Sequence, residues 1–301
     1  MTRFSNVNSL LAFVTVAREG SVSRAARVLN LTQPAVSHQI KRLSNDIGVT
    51  LFNRSPHGLN LTPDGAALLP KADHVLRAME TFQRSASTQC GQVSGTLKIG
   101  TIVDPEFIRL GRLLSRLGAA HPKINTELIH GVSGEILDKL NRQQIDAGFY
   151  LTGPDEVGRN CSERALHTRK LAEFTYRIIA PVGWEARVAT ANWAELAALP
   201  WISTPPNSMH NRLLTRIFAQ HGCAQQSVAL VDQEASMLEM VRSGVGLSLC
   251  RESIALHQRQ TFGLAICESL RIPACLVFQT LDDRKDEPVI AALFDQIEDV
   301  W

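Results

Sequence analysis

The stretch VSRAARVLNLTQPAVSHQIKRL, residues 22–43, decides how the N-terminal part of this chain folds. Val22, Ala25, Ala26 and Leu29 recur at three- and four-residue steps, so they share one face of a short helix whose small alanines let a neighbouring helix approach closely. Asn30 and Leu31 form a turn and Thr32 is placed to cap the next helix. Pro34 falls in that helix's first turn, where its missing N–H costs nothing. Val36, Ile40, Leu43 and Ile47 make the buried stripe of this third helix. Its opposite strip carries Gln33, Ser37 and Lys41 at four-residue spacing, with His38 and Arg42 beside them. An amide, a hydroxyl, an imidazole and two cations are the groups that read base edges and hold phosphates in a major groove. On an isolated helix such a face is more often simply solvated. A run of three helices, with the second and third joined by a tight turn, reverses that preference.

Upstream, Val7, Leu10, Phe13, Val14 and Ala17 mark the first helix and Gly20 ends it. Charge points the same way. Residues 1–58 hold seven Lys and Arg against two Asp and Glu, a net +5, so the rest of the 301-residue chain sums to −3 for a total of +2. A basic head on a mildly acidic body suits a phosphate-binding module joined to something else.

The segment from Gly20 to Gly65 resembles the LysR-type transcriptional regulators. The resemblance is carried by residues 20–26 (GSVSRAA), 31–37 (LTQPAVS), 51–54 (LFNR) and 59–65 (LNLTPDG). It implies a winged helix-turn-helix over residues 1–62, with the third helix in the major groove of double-stranded DNA. By position, Thr32, Gln33, Pro34, Ser37, His38, Lys41 and Arg42 become base or phosphate contacts, and Arg54 the wing's phosphate contact. Ala25 and Ala26 become packing residues, and His57 at the wing tip is a weaker choice. Leu68, Ala72, Val75, Met79, Phe82 and Ala86 alternate steps of four and three, a heptad seam. In the resemblance this is a linker helix, over residues 63–92 with a small-residue hinge at 89–95, that pairs two subunits on an operator of approximate two-fold symmetry. The family implies a homodimer or homotetramer, with RNA polymerase as a further partner.

From Thr96 onward strands and helices alternate. Strands are expected at residues 97–100, 124–129, 145–151, 174–180, 201–202, 228–231 and 246–250, with helices between them, and the chain returns at 267–281. This rhythm predicts an α/β domain of mostly parallel sheets. By resemblance residues 93–301 form a bilobed sensor of the type II periplasmic-binding-protein-like kind. Lobe I takes about 93–165 and 267–301, and lobe II about 166–266. Ligands of open α/β sheets settle beyond the carboxyl ends of strands, where helix N-termini offer free N–H groups. Thr101, Ser133, Ser203 and Thr204 stand at such ends, with Ile102, Tyr150, Asn207 and Gln233 as side walls. Hydroxyls beside backbone donors suit a small organic anion as the effector.

Catalysis finds no support. Residues 131–134 (GVSG) fall one residue short of a nucleophile elbow, and neither a nucleotide loop nor a zincin motif occurs, so neither an enzyme nor a cofactor is expected. The six cysteines, Cys90, Cys161, Cys223, Cys250, Cys267 and Cys275, form no C-x-x-C pair, which argues against metal ligation. With no secretory leader read at the start and no long apolar run, a cytoplasmic protein with reduced thiols and no membrane contact is expected. A thiol-based redox regulator of the same family is the alternative, with Cys267 and Cys275 as its thiols.

Overall fold

A computed structural model describes residues 7–55, 58–88, 93–102, 104–157 and 164–301. They belong to two units, Met1–Gly91 and Gln92–Trp301. The first unit opens with α1 (Val7–Glu19), α2 (Val22–Val28) and α3 (Gln33–Ile47). Gly20 takes the left-handed conformation (φ +61°) that ends α1, and the Ser21 hydroxyl caps α2 by accepting from the Arg24 N–H. Ala25 and Ala26 are fully covered by Ala12, Val16 and Val36, so α2 crosses its neighbours at close range. A second cluster of Leu10, Phe13, Val14, Leu43 and Leu51 fixes α1 against α3.

Two short antiparallel strands follow, β1 (Phe52–Ser55) and β2 (Gly58–Leu61), and then α4 (Pro63–Thr88). Thr62 locks this corner. Its hydroxyl donates to the Thr50 carbonyl at 2.6 Å and accepts from the Gly65 N–H at 2.9 Å. Gly65 lies so close to the preceding chain that a Cβ there would sit 2.2 Å from the Leu51 carbonyl oxygen. The heptad seam divides along α4. Leu68 and Ala72 pack against α1 within the unit, whereas Val75, Met79 and Phe82 remain exposed.

The second unit begins with β3 (Gly95–Thr101), α5 (Leu110–Ala120), β4 (Ile124–His130), α6 (Ser133–Asn141) and β5 (Ala147–Thr152). β3 is the parallel neighbour of both β4 and β5. Next come β6 (Leu166–Ala180), α7 (Glu185–Val188), α8 (Trp193–Ala197), β7 (Pro200–Ser203), α9 (Met209–Gln220) and β8 (Gln226–Leu230). The chain ends with α10 (Glu234–Arg242), β9 (Ser248–Arg251), α11 (Glu252–Phe262), β10 (Ala265–Ile266), β11 (Ile272–Leu281) and α12 (Pro288–Val300).

The expectation of mostly parallel sheets needs correction. β11 lies between β5 and β6 and is antiparallel to both, and β6 is antiparallel to β9 and β10 as well. Among the described residues, parallel pairing is found at β3–β4, β3–β5 and β7–β8 and at a single bridge from Trp201 to Leu247. The physical reason is that β6 and β11 are crossing strands. The first part of β6 pairs with β11 over the core built on β3, β5, α5 and α12, while its end pairs with β9 and β10 in a second core. Two lobes thus share two through-running strands, and no crossover helix is required where the chain passes between them.

Candidate DNA interface and ligand cleft

The cap geometry sets the start of α3. Thr32 is extended (φ −79°, ψ 151°), its hydroxyl accepts from the Ala35 N–H at 3.4 Å, and Pro34 occupies the first turn. Val36 and Leu43 are buried, which turns Gln33, Pro34, Ser37, His38, Lys41 and Arg42 to solvent along one strip. Arg42 stands 3.9 Å from Asp46, one helical turn further along. Asn30, at φ +54°, makes the turn between α2 and α3. Arg54 lies in β1 opposite Leu59. Its side chain, together with His57, falls outside the described residues, as do Cys90, Cys161 and most of the expected hinge at 89–95.

In the second unit a cavity of about 100 Å³ opens where strand ends of the two lobes face each other. Four of the eight expected effector residues meet there: Ile102 after β3, Ser133 at the start of α6, Thr204 after β7 and Gln233 before α10. The Ser133 hydroxyl accepts from the Leu151 N–H at 3.1 Å, which leaves its own hydrogen free to donate. The Thr204 hydroxyl pairs with that of Ser208, the N-cap of α9, at 2.5 Å.

The other four do not line the cavity. Thr101 is fully buried and hydrogen-bonds His130 Nδ1 at 2.8 Å. Tyr150 faces the opposite side of β5, against Cys275 and Val277, while its neighbour Leu151 faces the cleft. Side chains alternate along a strand, so a choice off by one residue lands on the wrong face. The Ser203 hydroxyl accepts a hydrogen bond from Gln225. Asn207 uses its backbone: its carbonyl accepts from the Gly134 N–H at 2.9 Å, joining α6 of one lobe to the loop before α9 of the other.

The charged lining escaped the sequence reading. Asp104, two residues past Ile102, forms an ion pair with Arg251 at the end of β9. Asp104 also accepts from the N–H groups of Glu106 and Phe107, both at 3.0 Å, and the Arg251 guanidinium lies 4.1 Å above the Phe107 ring. Glu234, which opens α10, stands 3.9 Å from Arg251, and burial raises its carboxyl above the usual range. Burial pushes the His210 imidazole down to about 4, and its ring meets Tyr176 edge-on at 4.6 Å. Asp232 completes the acidic side. A signal for these residues was present, since Arg251 ends a strand and Glu234 begins a helix, the same rule that selected Thr204. Further clasps join the lobes at Arg212, which donates to the Leu151 carbonyl at 3.0 Å, and at Arg216 with Glu156 at 2.7 Å.

The described cysteines are free thiols. Cys250 and Cys275 are buried and their thiols pushed up, by desolvation first and by neighbouring carboxylates second. Cys267 is buried beside the Ser269 hydroxyl at 3.3 Å. Raised pKa and burial both reduce the thiolate that oxidation requires. Among the described residues no helix is long and apolar enough to cross a membrane.

Comparison with known proteins places these features. Residues 91–301 match the family model described as the LysR substrate binding domain. Residues 7–66 match that of the bacterial regulatory helix-turn-helix protein, lysR family. The TfdS regulator of Cupriavidus pinatubonensis is 29% identical over 288 residues, 94% of each chain. The RuBisCO operon transcriptional regulator of Acidithiobacillus ferrooxidans is 26% identical over 271 residues, 90% of this chain and 85% of that one. GltR of Bacillus subtilis is 32% identical, but over 161 residues, so this chain spans 54% of its length. Among solved structures, CbnR complexed with its target DNA superposes with a TM-score of 0.64 at 20% identity, covering 99% of this chain and all of that one. Full-length OxyR from Pseudomonas aeruginosa gives 0.70 at 20% identity, covering 98% and 95%. Both likenesses concern the fold alone.

Proposed function

Since this chain belongs to the LysR family of transcriptional regulators, and so pairs a DNA-binding helix-turn-helix with an effector-binding domain, we propose that its effector is a compact organic molecule held in the cavity between the two lobes. The observation that carries the reading is that Ile102 and Ser133 from one lobe and Thr204 and Gln233 from the other line one cavity. A ligand touching both lobes stabilises one arrangement of them, and a preference of that kind is what shifts a population. At about 100 Å³ the space is smaller than the roughly 150 Å³ cavity that accommodates benzene. An acidic group on the ligand meets the start of α6, where N–H groups and the Ser133 hydroxyl face a developing positive end.

On the DNA side, Gln33 and Ser37 read bases, and Thr32, Lys41, Arg42 and Arg54 hold phosphates, with Pro34 and His38 against the groove. Two copies pair along the exposed part of α4, where Val75, Met79 and Phe82 recur at steps of four and three. The protein then works in the cytoplasm as a dimer or a pair of dimers on an operator with approximate two-fold symmetry, within reach of RNA polymerase.

Two measurements test this. Selection of bound duplexes from a random library should enrich one motif, and Lys41→Ala should lower the salt slope by about one without changing that motif. Gln33→Ala should instead relax preference at particular base pairs by roughly 1–3 kcal/mol. Thermal shifts of the full chain against a panel of small organic acids should single out one chemical class. Stabilisation that Ser133→Ala leaves untouched would remove the cleft from the reading.

A further inference from the structure

The chemistry of the effector follows from the lining of the cavity, and the inference rests on the cleft reading above. The lobes contribute three carboxylates, Asp104, Asp232 and Glu234, against one guanidinium, Arg251. Arg251 is already engaged by the Asp104 ion pair, by Glu234 at 3.9 Å and by the Phe107 ring, so it offers no unclaimed positive charge to an anion. Glu234 is 23% exposed and has no other ion pair among the described residues. Asp232 has no ion-pair partner among them at all. His210 faces the same cavity and its ring nitrogens have no hydrogen-bond partner among the described residues. Burial holds its imidazole neutral at pH 7, so it does not offset the acids.

A ligand bearing only an acidic group would add negative charge beside Asp232, which has no ion-pair partner among the described residues, and beside Glu234, which shares the one guanidinium with Asp104. We propose that the effector carries a cationic amine beside its acidic group, so that the cleft takes a zwitterion of the α-amino acid class. The ammonium meets Glu234 and Asp232 through charge-assisted hydrogen bonds, with the His210 imidazole able to accept one more. The carboxylate meets the first turn of α6 and the Ser133 hydroxyl, and Ile102, Leu151 and Met209 receive the side chain.

The test is calorimetric titration of the purified full chain with each proteinogenic amino acid, with the matching acid lacking the amine, and with the matching amine lacking the carboxylate. Wild type, Glu234→Gln, Asp232→Asn and Ser133→Ala are compared. At least one amino acid should bind, and its amine-free counterpart should bind about tenfold or more weakly. Glu234→Gln should narrow that gap, whereas Ser133→Ala should weaken both compounds. Should Glu234→Gln fail to fold, Asp232→Asn carries the comparison, since Asp232 is exposed. Amine-free acids that bind as tightly as their parents overturn the amine but leave the cleft reading intact if Ser133→Ala still weakens them. Binding indifferent to all three substitutions overturns the cleft itself. Silence with every amino acid overturns the amine alone, because the organic-acid panel decides the cleft separately.

Discussion

Adding one methyl group at Gly134 should uncouple effector response from DNA binding. Gly134 sits in the first turn of α6, and its N–H donates across the cleft to the Asn207 carbonyl at 2.9 Å. A Cβ at this position would stand 2.6 Å from that carbonyl oxygen and 2.8 Å from the Asn207 Cβ. Ordinary contact begins near 3.4 Å, so the facing loop must retreat by about 0.8 Å. That retreat stretches the bridging hydrogen bond beyond useful length and removes about 0.5–1.5 kcal/mol. Lost packing along the same seam brings the penalty on the closed arrangement to roughly 1–2 kcal/mol, about 5–30-fold in the closure equilibrium. With the closed cleft as the binding-competent state, the apparent effector Kd of Gly134→Ala rises by up to that factor, and by all of it where the open arrangement dominates without effector. Anisotropy of labelled operator DNA should show unchanged affinity without effector, and the effector titration should move to higher concentration. Gly111→Ala, in α5 with nothing within 4 Å of its added Cβ, is the control and should stabilise by about 0.5–1 kcal/mol. An effector titration unchanged in Gly134→Ala would refute the wedge argument.

Three further outcomes are expected. Gly65→Ala should destabilise the N-terminal unit, because a clash at 2.2 Å with the Leu51 carbonyl costs about 1–3 kcal/mol and outweighs the usual helix gain of about 1 kcal/mol; a raised melting temperature would contradict this. His210 binds its proton less readily in the folded chain than in the unfolded one, so its contribution is complete above about pH 6.5 and is lost as pH falls toward 4, worth at most about 3 kcal/mol. His210→Phe should therefore flatten the acid limb of the stability curve, and superimposable acid limbs would count against it. Phe82→Glu should dissociate the assembly in sedimentation velocity, since an exposed phenyl ring buried between two copies contributes about 1.5–3 kcal/mol each; an unchanged sedimentation coefficient would exclude the α4 seam.

The N-terminal unit was legible because its determinants are local. Ser21 and Thr32 cap the helices they precede, Gly20 ends the helix it follows, and Ala25 and Ala26 are small because α2 crosses its neighbours at close range. Each of those facts is written within a few residues of its consequence. The heptad seam was legible only in part, because a periodic stripe states that a face is apolar and not what covers it. Leu68 and Ala72 are spent on α1, and Val75, Met79 and Phe82 are left over.

The cleft depends on pairings distant in sequence, and there the local rules select positions without selecting partners. Of the residues chosen at strand ends, Ser133 and Thr204 line the cavity, while Thr101 and Ser203 are bonded to His130 and Gln225 instead; of the side walls, Ile102 and Gln233 line it. Tyr150, chosen as a side wall, is one residue off, because continuous burial on both faces of β5 erases the alternation that would separate it from Leu151. The strand-end rule overlooked Asp104 and Arg251, separated by 147 residues, because either one alone reads as a solvated charge at a strand end. Their meeting follows from β6 and β11 running through both lobes, which brings the end of β9 opposite the end of β3. The same topology decides which charges the hydroxyls stand beside. Serine and threonine signal a polar site from sequence, but Asp232 and Glu234, which share the cavity with Ser133, come from the facing lobe. Asp232 and Glu234 lie beside Gln233, and only the folded cleft brings them to face Ser133.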